Sequence, residues 1–65
     1  MTNAEWMIKN GHKFIELDTK YIDQEHGCII TINGKTVDRV PLVNRVSAII
    51  CWLDAEHKDP EELGL

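Results

Sequence analysis

A disulfide framework is lacking from this chain. Its 65 residues include two cysteines, Cys28 and Cys51, enough for one bridge at most. Met1-Thr2-Asn3-Ala4-Glu5 lacks the basic start and long apolar core of a secretory leader, so the two thiols are expected to be free in a reducing cytoplasm. Zinc spacing is lacking as well: there is no Cys-x-x-Cys and no His-x-x-x-His. His12, His26 and His57 therefore read as scattered side chains, and neither a metal nor a cofactor is expected. No apolar run approaches the roughly 18 residues of a membrane span, which argues against membrane contact. A basic excess is also missing. Seven Lys and Arg face eleven Asp and Glu, a net charge of −4, whereas a nucleic-acid binder needs a basic face to release counterions. Direct nucleic-acid binding is not expected.

The acidic excess sits in one place. Residues 1–53 are balanced, and the imbalance falls on the last twelve, where Asp54, Glu56, Asp59, Glu61 and Glu62 face Lys58. The plainer reading is a solvated end that keeps a small protein soluble. The sharper one is an acidic docking surface for a basic partner. The length allows one small domain over residues 1–65, and such a chain buries only about 60% of its unfolded surface, so it benefits from tight packing or oligomerisation.

The local patterns predict an α+β fold. Thr2-Asn3-Ala4-Glu5 is a capping box that should start a short N-terminal helix, with Gly11 as its stop. Residues 12–18 fit a loop, a turn or a strand, with Phe14, Ile15 and Leu17 available to plug the core. Lys20–Asp23 reads as a short strand, and residues 24–27 as a turn. Cys28–Ile32 and Lys35–Val40 flank Asn33-Gly34, the dipeptide that favours a type I′ hairpin turn. A sheet of two or three antiparallel strands follows. A two-residue loop would pair Ile32 with Lys35, Ile30 with Val37 and Cys28 with Arg39.

After Pro41 the apolar period changes to 3.6. Leu42, Val43, Val46, Ile49, Ile50, Leu53 and His57 fall within an arc of about 120°. This predicts an amphipathic C-terminal helix over residues 42–57, packed on one face of the sheet through that stripe, with Ile50 in the core. Asp59-Pro60-Glu61-Glu62 suggests a further single turn, with Leu63 or Leu65 folding back.

Catalysis finds little support. Asp54 and His57 are three apart and could touch, which is half of a triad, but no nucleophile is placed beside them. No catalytic residue is assigned. Trp52 lies off the stripe beside Arg45, Ile49 and Glu56, and Trp6 lies off the apolar face of its own helix. Each tryptophan can cover an edge of the core. The alternative is a partner-binding patch of Trp52, Arg45, Ile49, Glu56 and Trp6, since Trp and Arg are enriched at binding hot spots.

Two blocks, Trp6–Phe14 and Trp52–His57, resemble small accessory proteins encoded by phages and prophages of Gram-positive bacteria, a group without assigned activity. The resemblance implies a phage protein acting in the host cytoplasm, and an interaction protein rather than an enzyme. The expected function is therefore a non-enzymatic module that binds a protein partner or forms a homodimer. One alternative is an inhibitor of a host defence or nucleic-acid-handling protein, anti-CRISPR-like, acting through the acidic end of Asp54, Asp59, Glu61 and Glu62. A second is a small metal-binding or catalytic protein using Asp54 and His57.

Overall fold

The computed structural model describes residues 1–59. The chain opens with helix α1, Asn3–Lys9. Its capping box is closed in both directions: the Thr2 hydroxyl accepts from the Glu5 N–H at 3.2 Å, and the Glu5 carboxylate accepts from the Thr2 N–H at 2.9 Å. The Thr2 backbone N–H, and after it the Thr2 hydroxyl, hold the Glu5 carboxyl below its ordinary value. The helix closes as a Schellman motif, with Gly11 N–H donating to Ile8 O and His12 N–H to Met7 O. A single 3-10 turn, Phe14–Glu16, then leads into the sheet. The Glu16 backbone carbonyl accepts from the Asn33 N–H, and its carboxylate accepts from the Asn33 amide, so this turn is tied to the hairpin tip.

Strands β1 (Leu17–Asp23), β2 (Gly27–Ile32) and β3 (Lys35–Val40) form an antiparallel meander in the order β1-β2-β3. The first strand is longer than Lys20–Asp23, because Leu17, Asp18 and Thr19 also pair with β2. Asn33 and Gly34 both take positive φ, 53° and 80°, as a type I′ turn requires. Gly27 opens β2 where a Cβ would lie 2.2 Å from the Val40 carbonyl oxygen, so a glycine is needed for both its φ and its close neighbour.

The expected register holds only at the hairpin tip. Ile32 faces Lys35 and Thr31 faces Thr36, but Ile30 then faces Asp38 and Cys28 faces Val40. Val37 is the extra residue of a β-bulge, which shifts everything after it by one. The pairings Ile30–Val37 and Cys28–Arg39 are therefore incorrect. The shift carries Val40 into the core and leaves Arg39 exposed. It also puts Asp38 on the side of the sheet that faces the second helix.

That helix, α2, spans Arg45–Asp54 rather than residues 42–57. It starts where the Asn44 side chain caps the Ser47 N–H at 3.0 Å. It lies against all three strands and beside α1. The core comprises Met7, Cys28, Ile30, Ile32, Val40, Ala48 and Trp52, with Trp6, Leu17, Val37, Ile49 and Leu53 at its margin. The expected stripe is thus turned the wrong way: Ala48 and Trp52 face the sheet, while Val46 and Ile50 face out. Of the three side chains offered as a plug, Leu17 packs on the core, and Phe14 and Ile15 are exposed. The turn over residues 60–63 and the return of Leu63 or Leu65 lie outside the described residues.

The two ends of the described chain run side by side. Asn3 N–H donates to Ala55 O, and His57 N–H donates to Met1 O. Thr2 and Glu56 form an isolated antiparallel bridge.

Candidate functional site

Trp52 is 3% exposed, and it is the anchor of α2 rather than a surface residue. Its indole N–H donates to the Asp38 carboxylate at 3.0 Å. The other oxygen of that carboxylate accepts from the Arg39 N–H. Asp38 reaches this position because of the bulge at Val37. The sequence offered no direct sign of it, since a buried indole requires some acceptor but does not name which.

A second polar knot lies behind it. Asn3 is buried, and its amide nitrogen donates to the Trp52 backbone carbonyl at 2.8 Å. A carbonyl can only accept, so Asn3 turns its own oxygen towards His57 Nδ1, also at 2.8 Å, and Nδ1 must carry the hydrogen. The His57 ring stacks on Trp6, with centroids 4.3 Å apart and planes 9° from parallel. His12 packs against the same indole at 5.1 Å. The cavity among Asn3, Trp6, Asp38, Trp52 and His57 is about 40 Å³, room for little more than one water. It is a structural joint between both helices and the sheet.

The expected pairing of Asp54 with His57 does not form. His57 Nδ1 is bonded to Asn3, and its Nε2 lies 3.9 Å from the Asp59 carboxylate. Among the described residues no group of three or more His, Cys, Asp or Glu is arranged to hold a metal ion. Cys28 is buried and Cys51 is exposed, and both thiols are free. No helix of the described chain is long and apolar enough to cross a membrane.

The residues expected to form a partner patch do not meet on one exposed surface. Trp52 is core, Ile49 is half-buried against the core, and Trp6 is half-buried in its stack with His57. Arg45 is exposed but turned to the open edge of β1, where its Nε donates to Thr19 O at 3.1 Å and its Nη2 sits 3.4 Å from Asp18. It does not stack on Trp52. Glu56 accepts from the Met1 ammonium group at 2.7 Å. Of the acidic end, Asp54 and Asp59 are exposed, and Glu61 and Glu62 lie outside the described residues.

Exposed apolar side chains also occur at Ile8, Phe14, Ile15, Tyr21 and Ile22, and two further surfaces lie around the helices. One is an open groove of about 280 Å³ between Trp6, His12 and the β2–β3 hairpin, floored by Ile32 and Val37 and edged by Lys35. It is slightly smaller than the roughly 300–1,000 Å³ of small-molecule sites. The other is the outward side of α2. Val46 is 68% exposed and Ile50 is 56% exposed. They lie two residues to either side of Ala48, about 160° around the helix from it. Val43, just before the cap, is also exposed, and Leu42 partly so. Isolated exposed apolar residues occur on any protein, but a run of them on one element marks a contact surface.

No family profile, curated protein or solved structure matches this chain.

Proposed function

We propose that this chain is a non-enzymatic protein-interaction module of phage or prophage origin, acting in the host cytoplasm, whose contact surface is the outward side of α2. The observation that carries the proposal is the exposure of Val46 and Ile50 on the helix side opposite the core. A ten-residue helix that already buries Ala48 and Trp52 has no need of a second apolar side for folding. Leaving it in water costs solubility, and covering it with a partner recovers the hydrophobic gain.

The phage reading rests on the two sequence blocks, Trp6–Phe14 and Trp52–His57. In the fold these blocks touch, because Trp6 stacks on His57. Their most distinctive residues close the structure, so the resemblance speaks for the architecture and not for a site. The inhibitor reading needs an array of free carboxylates, of which Asp54 and Asp59 are exposed and Glu61 and Glu62 lie outside the described residues. The α2 surface is therefore the stronger basis.

The test is photocrosslinking in cells that express the chain. A benzophenone side chain at position 46 should give covalent adducts, and one at Lys20, an exposed residue of β1, should not. Adducts from neither position, or equally from both, would end the proposal.

A further inference from the structure

Strands β1 and β3 are the edges of the sheet, and an edge offers its backbone groups to any incoming strand. In an antiparallel ladder, alternate residues turn their N–H and C=O to the same side. Thr19 turns both outward. Its N–H donates to Asp18 Oδ1 at 2.8 Å, and its carbonyl accepts from Arg45 Nε at 3.1 Å. Leu17 and Tyr21 face outward by the same alternation. The Leu17 N–H is used by Phe14 O, which leaves the Tyr21 N–H open among the described residues. We infer that Asp18 and Arg45 form a guard that shuts the β1 edge at Thr19, and that the strand it keeps out is β1 of a second copy.

Strand addition at an outward residue exchanges both its N–H and its C=O with the newcomer. At Thr19 both are held, each by a charged side chain, and charge-assisted bonds are stronger than the neutral ones a new strand would offer. The two guards are also joined. Asp18 Oδ1, which takes the Thr19 N–H, lies 3.4 Å from Arg45 Nη2. Arg45 is the first residue of α2, so the helix delivers the guanidinium to the edge of the sheet.

The other edge repeats half of the device. Ile30 lies opposite both Thr19 and Asp38. Because Thr19 points away from it, the polar groups of Ile30 turn towards β3, and Arg39 on that strand faces outward. The Arg39 N–H donates to Asp38 Oδ1 at 2.6 Å. On both edges the residue before an outward N–H is an aspartate, and its carboxylate covers that N–H. The β1 edge has the greater need of closure. It is the longest strand, with seven residues, and Tyr21 and Ile22 on it are exposed. A two-fold axis would let this edge meet itself, with every contact made twice.

The experiment compares wild type with Asp18→Ala/Arg45→Ala, a double variant that removes one charge of each sign and keeps the net charge at −4. Sedimentation over about 10 µM to 1 mM covers weak pairing, with a reductant present because Cys51 is exposed. The double variant should rise from 7.5 kDa to at least twice that mass. It should do so at a concentration at least about tenfold below any at which wild type associates, a step of about 1.4 kcal/mol. In the associated form the Tyr21 amide should exchange with solvent more slowly than in wild type. Adding Tyr21→Pro should restore the mass of one chain, because proline removes an N–H that the β1–β2 ladder does not use. Asp18→Ala alone, at a side chain 73% exposed, should shift association in the same direction, and it decides the matter should the double variant unfold. Variants that melt earlier but associate no more than wild type would show a tether between α2 and β1, and would overturn the guard. Association that Tyr21→Pro does not reverse, with the Tyr21 amide still open, would place the contact elsewhere and overturn it too.

Discussion

Both sides of α2 carry apolar side chains, and they are used in opposite ways. The inward side pairs the smallest side chain that can pack, Ala48, with the largest, Trp52, and adds one polar bond, from the indole to Asp38. The outward side carries the branched aliphatics Val46 and Ile50 and makes no contact with the core. Ala48 lets the helix approach the sheet closely, and Trp52 then fills the space beside it. An aliphatic stripe would leave the Asp38 oxygen that faces the helix without its donor. Shape and hydrogen bonding decide between two surfaces that hydrophobicity alone cannot rank.

The most severe way to break this comparison is to remove the anchor. Trp52→Ala should cost about 3–5 kcal/mol, as large-to-small changes of buried aromatics do. A core of this size supplies only roughly 3–5 kcal/mol in total. The variant should therefore be largely unfolded at 25 °C by circular dichroism and urea titration. A variant that melts like wild type would mean that Trp52 is not the residue that seats the helix.

The polar half of the anchor is the next largest effect. Asp38→Ala strips the acceptor from a buried indole N–H and should cost about 1–3 kcal/mol. Trp52→Phe removes the donor at the cost of some packing. If the bond is what links the two, the double variant should lose less than the sum of the singles by about 0.5 kcal/mol or more. Strict additivity in urea unfolding would show that Asp38 acts only on its own strand, through the Arg39 N–H that it also accepts.

These expectations separate what was legible in the sequence from what was not. The capping box at Thr2–Glu5, the stop at Gly11 and the turn at Asn33-Gly34 were legible because each is settled within a few residues by backbone chemistry. The α+β class and the meander follow from those signals together with the apolar periods. The face of α2 was not legible. A 3.6-residue period says which side chains share a side, and this helix has two candidate sides. The bulge at Val37 left no mark either: Lys35–Val40 reads as unbroken alternation, without the glycine that often signals an extra residue. Missing the bulge hid Asp38, and missing Asp38 hid the reason for Trp52 to turn inward. The Asn3–His57 contact spans 54 residues and could be found only once both ends of the described chain were seen to pair. The partner patch built on Trp52 failed for the same reason as the stripe, because one rotation of α2 exchanges the two.

The smallest expected effect is the sharpest test of that rotation. Ile50→Ser should change monomer stability by no more than about 0.5 kcal/mol, the range of ordinary surface substitutions. Serine and isoleucine have nearly the same helix propensity, so the comparison reads burial and little else. Ile30 provides the matched control: it is the same residue type, fully buried on β2, and Ile30→Ala should cost about 2–5 kcal/mol. Both must be measured at concentrations low enough to keep the chain monomeric, because any association through α2 would lend Ile50 a stability that does not belong to the fold. A small loss for Ile50 beside a large one for Ile30 places the aliphatic side of α2 outside the folded core. Equal losses would place it inside, and the surface on which the proposed function rests would then be spent on folding.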